Sequence, residues 1–388
     1  MSTTSRNRVI YQSQAVFSAP TGVTTITAAS HSIRRVQSCN YNFSVARQDI
    51  NQYGELAAID RLILQEPTVS VDLSYYFEPT GFNERHLGLR TNAPTGTSTT
   101  SDHMLDAIIS SGASFNQKNI YVMVSDPGID ANDSARMDQA TTMDGIIGIG
   151  NAFLTSWSLE ASVGAIPTVT CALEAQNIVF STGDYNIGNP AVDDGADRTS
   201  VVVTLPDGAG LFDAATEVSA VRPGDITLSL GTDTLDNSPM FGLDELSRLS
   251  PMFGLDESDL KVQSASVAMT IGREPIRKLG KAFAFAREIT FPINCTMSVQ
   301  AIVGKTFANK LFTLMTTNGD ATKFYCELKL VGYQGANTHT SYIMLKGAKL
   351  DSQAFTSSIG PNQTVAIELS AQIGKNSGLH FAAASTTH

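Results

Sequence analysis

Residues 36–76 read VQSCNYNFSVARQDINQYGELAAIDRLILQEPTVSVDLSYY, and residues 262–299 read VQSASVAMTIGREPIRKLGKAFAFAREITFPINCTMSV. Both open on the same tripeptide, Val36-Gln37-Ser38 and Val262-Gln263-Ser264, at an offset of 226 (262 less 36). Without a gap, that offset carries Arg47 onto Arg273, Gly54 onto Gly280 and Arg61 onto Arg287. Apolar alternation repeats as well. Cys39, Tyr41, Phe43 and Val45 answer to Ala265, Val267, Met269 and Ile271, and Val69, Val71, Leu73 and Tyr75 to Cys295, Met297, Val299 and Ala301. A period of two marks strands with one face against a core. Each stretch is therefore a strand, a loop and a second strand.

Working outward, Ser101 to Ser111 places Met104, Leu105, Ile108 and Ile109 on one side with Gly112 beyond, which predicts a short amphipathic helix. Its counterpart runs from Thr306 through Phe307, Leu311, Leu314 and Met315 to Gly319. A strand follows each, over 119–124 and 324–330, and then a hairpin. Gly164, Thr168 and Val169 in the first hairpin match Gly360, Thr364 and Val365, at an offset of 196 (360 less 164). The offset shrinks because the first copy has longer loops, chiefly over 79–100 and 126–143. A β-prone arm precedes each copy, over 9–18 and 225–230. The reading is mainly β: two tandem β-rich domains, 1–200 and 201–388, each with one short flanking α-helix, and a connector or insertion over 231–260. Within that insertion SPMFGLDE occurs twice, at 238–245 and 250–257, as a docking element or a tolerated slippage duplication.

Composition narrows the function. The 388 residues are 42% hydrophobic and only 16% charged, which fits a chain that hides much of its surface in an assembly. The net charge of −11 argues against a nucleic-acid binder, which needs cations to displace counterions from phosphates. No apolar run is long enough to span a bilayer, and no signal segment opens the chain, so membrane insertion is not expected.

The residues that carry chemistry do not converge. The histidines (His31, His86, His103, His339, His380, His388) are scattered singly, and the aspartates Asp126, Asp130, Asp133 and Asp138 lack the spacing of a calcium loop. Gly145, Gly148 and Gly150 precede a strand rather than open a helix, which is wrong for a phosphate cradle. Each cysteine (Cys39, Cys171, Cys295, Cys326) matches an apolar residue in the other copy (Ala265, Ile367, Val69, Val122), as small core residues would. No enzymatic activity, metal or cofactor is expected.

Residues 36–76, with LTSWSLEASVGAIPTVTCALEAQN at 154–177 and residues 262–299, resemble the tail tube proteins of long-tailed bacteriophages. The resemblance covers most of both copies but not 205–260, and rests on strand and loop patterns rather than catalytic signatures. It implies a structural virion protein, whose β-sandwich subunits form rings that stack into the conduit for DNA ejection. A duplicated member would form a homotrimeric, pseudo-hexameric ring. Implied partners are the chain itself, the tape-measure protein, and the baseplate or initiator and terminator proteins. DNA would pass without specific binding, and the place would be the virion tail, assembled in the host cytoplasm.

In that family the long loop between the first two strands reaches neighbouring rings. The corresponding residues here are Arg47, Asp49, Gly54, Asp60 and Arg61, with Arg273, Glu274, Gly280, Phe283, Phe285, Arg287 and Glu288. The alternative is a loop folded on its own domain with solvated arginines. Strand phase puts Asp72, Glu160 and Glu174 on a polar face suited to line the lumen. Other readings are a baseplate hub, a tail terminator or a glycan-binding β-sandwich adhesin.

Overall fold

The computed structural model describes residues 14–63, 66–90, 100–103, 107–108, 117–125, 131, 143–182, 186–192, 200–204, 218–232, 261–279, 283–284, 286–302, 324–334, 337–356, 363–374 and 377–387. The protein is mainly β. Along the chain come β1 (Gln14–Pro20), β2 (Thr25–Thr27), α1 (Ala28–His31), β3 (Val36–Ser44), β4 (Arg47–Ile50), β5 (Asp60–Ile63) and β6 (Thr68–Tyr76). Next are α2 (Phe82–His86), β7 (Thr100–His103), β8 (Lys118–Ser125), β9 (Met143–Ser162), β10 (Thr168–Ala175), β11 (Asn177–Thr182), β12 (Asn186–Gly188) and β13 (Ser200–Thr204). The second half adds β14 (Ile226–Thr232), β15 (Lys261–Thr270), β16 (Gly272–Ile276), β17 (Ala286–Thr290) and β18 (Asn294–Ile302). It closes with β19 (Phe324–Gln334), β20 (Asn337–Thr356), β21 (Thr364–Gln372) and β22 (Gly378–Thr387).

One eight-stranded antiparallel layer runs β3-β6-β10-β9-β15-β18-β21-β20. Behind it lie two further layers, β1-β8-β9-β11 and β14-β19-β20-β22-β7. The long strands β9 and β20 belong to a front and a back layer at once. Each crosses over at a residue with left-handed backbone, Asn151 (φ 57°) in β9 and Gly347 (φ 66°) in β20. These residues are 196 apart, the offset found in the sequence. Asn and Gly are the residue types that occupy this region most readily.

The registers of the two halves coincide under the same two offsets. Cys39 faces Leu73 and Ala265 faces Val299; Thr168 faces Tyr76 and Thr364 faces Ile302. Even the irregularities correspond. Gln37 is skipped between β3 and β6, and Gln263 between β15 and β18. Thr155 is skipped between β9 and β10, and Asp351 between β20 and β21. The repeated Val-Gln-Ser tripeptide thus marks a β-bulge, where one extra residue bends the strand. In each copy the bulged glutamine turns its amide back on its own strand. Gln37 Nε2 donates to the carbonyls of Arg35 and Val36 (3.1 and 3.4 Å), and Gln263 Nε2 to those of Lys261 and Val262 (3.3 and 3.5 Å).

The largest apolar cluster is shared between the halves: it runs from Val16 to Phe381, and the buried Trp157 of the first half meets Phe381 of the second edge-on, 5.3 Å between ring centroids. Two smaller clusters belong to one half each, around Phe17 and Tyr121 and around Tyr325 and Tyr342. Cys171, Cys295 and Cys326 are buried in the shared cluster, and burial pushes the Cys39 thiol up to about 11 and that of Cys295 up to about 12.

Two expectations meet the structure differently. The helix foreseen from Ser101 begins as a strand. Thr100–His103 is β7, which pairs with β22 through Asp102↔Phe381 and its neighbours, because a ladder of backbone bonds outweighs weak helical propensity there. Ala107 and Ile108 are buried in a helical turn, and the rest of 101–111, like 306–319, lies outside the described residues. A boundary after residue 200 also cuts β13, which pairs with β12 and, in parallel, with β2 of the first half. The aspartate-rich loop over 126–138 and the repeated SPMFGLDE segment fall outside the described residues, Ala131 apart.

A polar corner closes one end of the first half. Asn83 of α2 accepts from the Arg34 amide (2.9 Å) and donates to the Arg34 carbonyl (2.8 Å). The Arg34 guanidinium lies 3.9 Å over the Phe82 ring and 3.2 Å from Glu78. Glu84, fully buried, accepts from the Tyr75 hydroxyl at 2.9 Å. Burial pushes its carboxyl up from 4.5 to about 7, against the pull of Arg90 and with a further push from Glu78.

This carries a pH dependence. Between 4.5 and about 7 the unfolded chain has released a proton from this carboxyl that the folded chain still holds, so the contribution of Glu84 to stability falls as pH rises through that window and is level on either side. Glu84→Gln keeps a partner for Tyr75 and removes the titration. Urea midpoints at pH 4.5 and 7.5 should show the variant losing less than the wild type, by on the order of 3 kcal/mol. Equal losses would dismiss the assignment.

Candidate functional site

The front layer presents one face to the core and the other outward. The outward positions are small and hydroxylated: Ser70, Thr170, Ser158, Ser266, Ser298 and Ser370 among them. Within the front-layer stretches the acids are Asp72, Glu160, Glu174, Asp351 and Glu368, and the cations are Lys261 and Lys349, each at an end of its stretch. Register aligns Thr168, Glu160, Ser266, Ser298, Glu368 and Ser352 in one row across six strands. Ser352 Oγ donates to Glu368 at 2.8 Å. Asp72 and Glu160, foreseen for the polar face, are exposed there, and Glu174 is half-exposed. Sequence reading missed Glu368, although the alternation of Val365, Ile367 and Leu369 already turned it outward.

The halves join where β15 pairs with β9. Val267 faces Leu159 and Met269 faces Trp157, all buried, while Ala268 faces Ser158 on the polar side. The bulged residues bracket this joint. The Gln263 carbonyl accepts from Val163 N (2.9 Å) and the Thr155 carbonyl from Ile271 N (2.7 Å).

A clamp of charges ties the halves together beyond the end of this ladder, which closes at Thr270 and Ser156. Arg287, on the β16–β17 hairpin, donates from Nη1 to Glu174 (2.7 Å) and from Nη2 to Glu66 (3.1 Å). The Arg287 and Glu66 side chains are 5% and 2% exposed. Glu66 is further satisfied by Gln176 Nε2 (3.0 Å) and the Ala284 amide (2.8 Å), with Arg277 at 3.7 Å. Arg273 sits 4.7 Å over the Phe153 ring, and burial beside Arg287 lowers its pKa to about 10. Arg273 and Arg287, foreseen as contacts between rings, are thus held inside the chain. Glu66 and Phe153 were missed, since nothing local marks a carboxylate whose partner lies 221 residues away.

The matching β4–β5 hairpin stands clear of the fold. Arg61 pairs with Asp49 of the same hairpin at 2.6 Å, Arg47 and Asp60 are exposed, and Gly54 takes a left-handed turn (φ 89°). Tyr53 and Leu56 are fully exposed, and Ile59 half-exposed. On β16–β17, Glu274 and Glu288 face each other in exposed positions and Phe283 is half-buried; Gly280 and Phe285 lie outside the described residues. Among the described residues no group of three or more His, Cys, Asp or Glu could hold a metal ion, and no helix is long and apolar enough to cross a membrane.

No family model and no curated protein matches the chain. Sixteen chains of solved structures do. One comes from the tail of an empty gene transfer agent particle refined with C6 symmetry: 9% identity and TM-score 0.23, covering 40% of this chain and 96% of that one. Another is the tube-terminating cap of the anti-feeding prophage: 14% identity and TM-score 0.27, covering 47% of this chain and 99% of that one. Scores this low carry no functional weight for this protein.

Removing one partner of the clamp weakens the compensation of the other. Arg287→Met should cost about 3 kcal/mol in urea unfolding, because the buried Glu66 keeps only the more distant, half-exposed Arg277 as a cation. Arg61→Met, at an exposed pair, should cost no more than about 0.5 kcal/mol. Equal costs for the two would show that the clamp does not hold the joint.

Proposed function

We propose that this protein is the structural subunit of a bacteriophage tail tube, built from two tandem β-sandwich modules that occupy alternate positions in a trimeric, pseudo-hexameric ring. The observation that carries the reading is the eight-stranded front layer, in which two modules of matching register already sit side by side. Its two outermost strands, β3 and β20, are of the kinds that meet in pairs at the internal joint. A head-to-tail contact of this sort closes into a ring when the rotation permits. The sequence resemblance supports the same reading.

The outward face suits a conduit for duplex DNA. Carboxylates at Asp72, Glu160 and Glu368 repel phosphate, and short hydroxylated side chains between them hold water and offer no cationic grip. Stacked rings would enclose the tape-measure protein, start on a baseplate or initiator complex and end at a terminator. The exposed β4–β5 hairpin, with Tyr53 and Leu56, is the element to reach an adjacent ring, and apolar groups this bare call for a partner. The mechanism is geometric, without catalysis.

Electron microscopy of the purified protein, with mass measurement, tests the reading. Trimeric rings or tubes are the expected outcome; rings that never stack point to a hub or terminator, and a stable monomer ends the tube reading. Reversing the face with Asp72→Lys, Glu160→Lys and Glu368→Lys should turn particles that ignore duplex DNA at low salt into ones that retain it. Retention by the wild type would overturn the repulsive lining.

A further inference from the structure

The joint between β9 and β15 is made within the chain, and it has a counterpart that the described residues of a single chain leave open. Resting on the ring reading above, we infer that β3 of one copy pairs with the C-terminal part of β20 of the next in a fixed register, Asn42 opposite Ala354, through a joint that carries no charge clamp. The offsets give the register directly. Moving β15 back by 226 and β9 forward by 196 converts Val267↔Leu159 into Tyr41↔Phe355, Ala268↔Ser158 into Asn42↔Ala354, and Met269↔Trp157 into Phe43↔Gln353.

Burial picks out the same residues. At the internal joint Val267, Leu159, Met269 and Trp157 are 0–2% exposed. At the corresponding open positions Tyr41, Phe43 and Phe355 are 39%, 46% and 49% exposed, though their faces of β3 and β20 are those turned to the core. Gln353 replaces Trp157 in this scheme, and neither its Nε2 nor its Oε1 has a hydrogen-bond partner among the described residues. In the proposed register it lies diagonal to Tyr41, whose hydroxyl can both donate and accept. The bulge contributes as well. Thr155 accepts from Ile271 inside the chain, so Asp351 of one copy should accept from the Val45 amide of the next.

The clamp, in contrast, is not repeated. The positions answering to Glu66, Glu174 and Phe153 are Pro292, Ser370 and Lys349. They provide no carboxylate for the β4–β5 hairpin, and Arg61 is already neutralised by Asp49 on its own hairpin. A ring therefore alternates two unlike joints: three locked by buried ion pairs within chains, and three made of aromatic contact and backbone bonds between chains. The unclamped joints are where subunits enter and leave.

Asn42→Cys combined with Ala354→Cys in the full-length chain tests the register under mild oxidation, with the wild type as background for its own thiols. Ala268→Cys with Ser158→Cys reports the internal joint, since it should close within a single chain. The expected result is reducible dimers and trimers on denaturing gels, with the yield held or raised between about 0.1 M and about 1 M NaCl. The out-of-register pair Asn40→Cys with Ala354→Cys should crosslink at least ten-fold less. Rings without the crosslink, or equal yield from the shifted pair, overturn the register while leaving the ring reading intact. A ten-fold loss of yield in high salt overturns the uncharged joint. A chain that stays monomeric overturns both readings.

Discussion

A strand edge offers a row of amide and carbonyl groups that must be bonded to something, and a protein of this architecture stands or falls by how its edges are matched. In this chain the edge of β9 is taken up by β15. That one pairing turns two four-stranded sheets into a single layer, places Leu159 and Trp157 against Val267 and Met269, and joins the halves through one shared apolar cluster. The Arg287 clamp ties the same two halves together through Glu66 and Glu174. Take the pairing away and both halves would show bare apolar edges.

The chemistry of the clamp illustrates how much context decides. Arg61 and Arg287 occupy corresponding places on corresponding hairpins. One sits in solvent with Asp49, where an ion pair contributes little. The other is almost wholly buried between Glu66 and Glu174, where its loss would leave the buried Glu66 only the more distant Arg277. The two hairpins carry the same residue type at matching places, and the surroundings give it two different weights.

Much of this was legible in the sequence. Period-two alternation located β3, β6, β10, β15, β18 and β21, and the repeated tripeptide located matching strand starts, because side-chain alternation is a local consequence of the backbone. The outward place of Asp72 and Glu160 followed from the same phase. What the letters did not reveal was long-range. Gln37 and Gln263 read as a repeat, but only paired strands show that each is a bulge. Glu66 read as loop, since its partner is far along the chain. Ser101–His103 read as the start of a helix although the strand Thr100–His103 pairs with β22, because apolar spacing cannot report an edge contributed by residues nearly three hundred positions away.

The two twenty-residue strands β9 and β20 deserve a mechanical reading. Most sandwiches hold their sheets together by side-chain contact alone, which yields to shear. Here Asn151 and Gly347 let a continuous backbone pass from one sheet into the other, twice in every chain. A push against the hydroxylated face would then travel to the rear sheets along covalent bonds, and separating the layers would require peeling apart ladders on both sides of the kink. Sheets stitched together through the backbone can be thin and still resist being pulled apart.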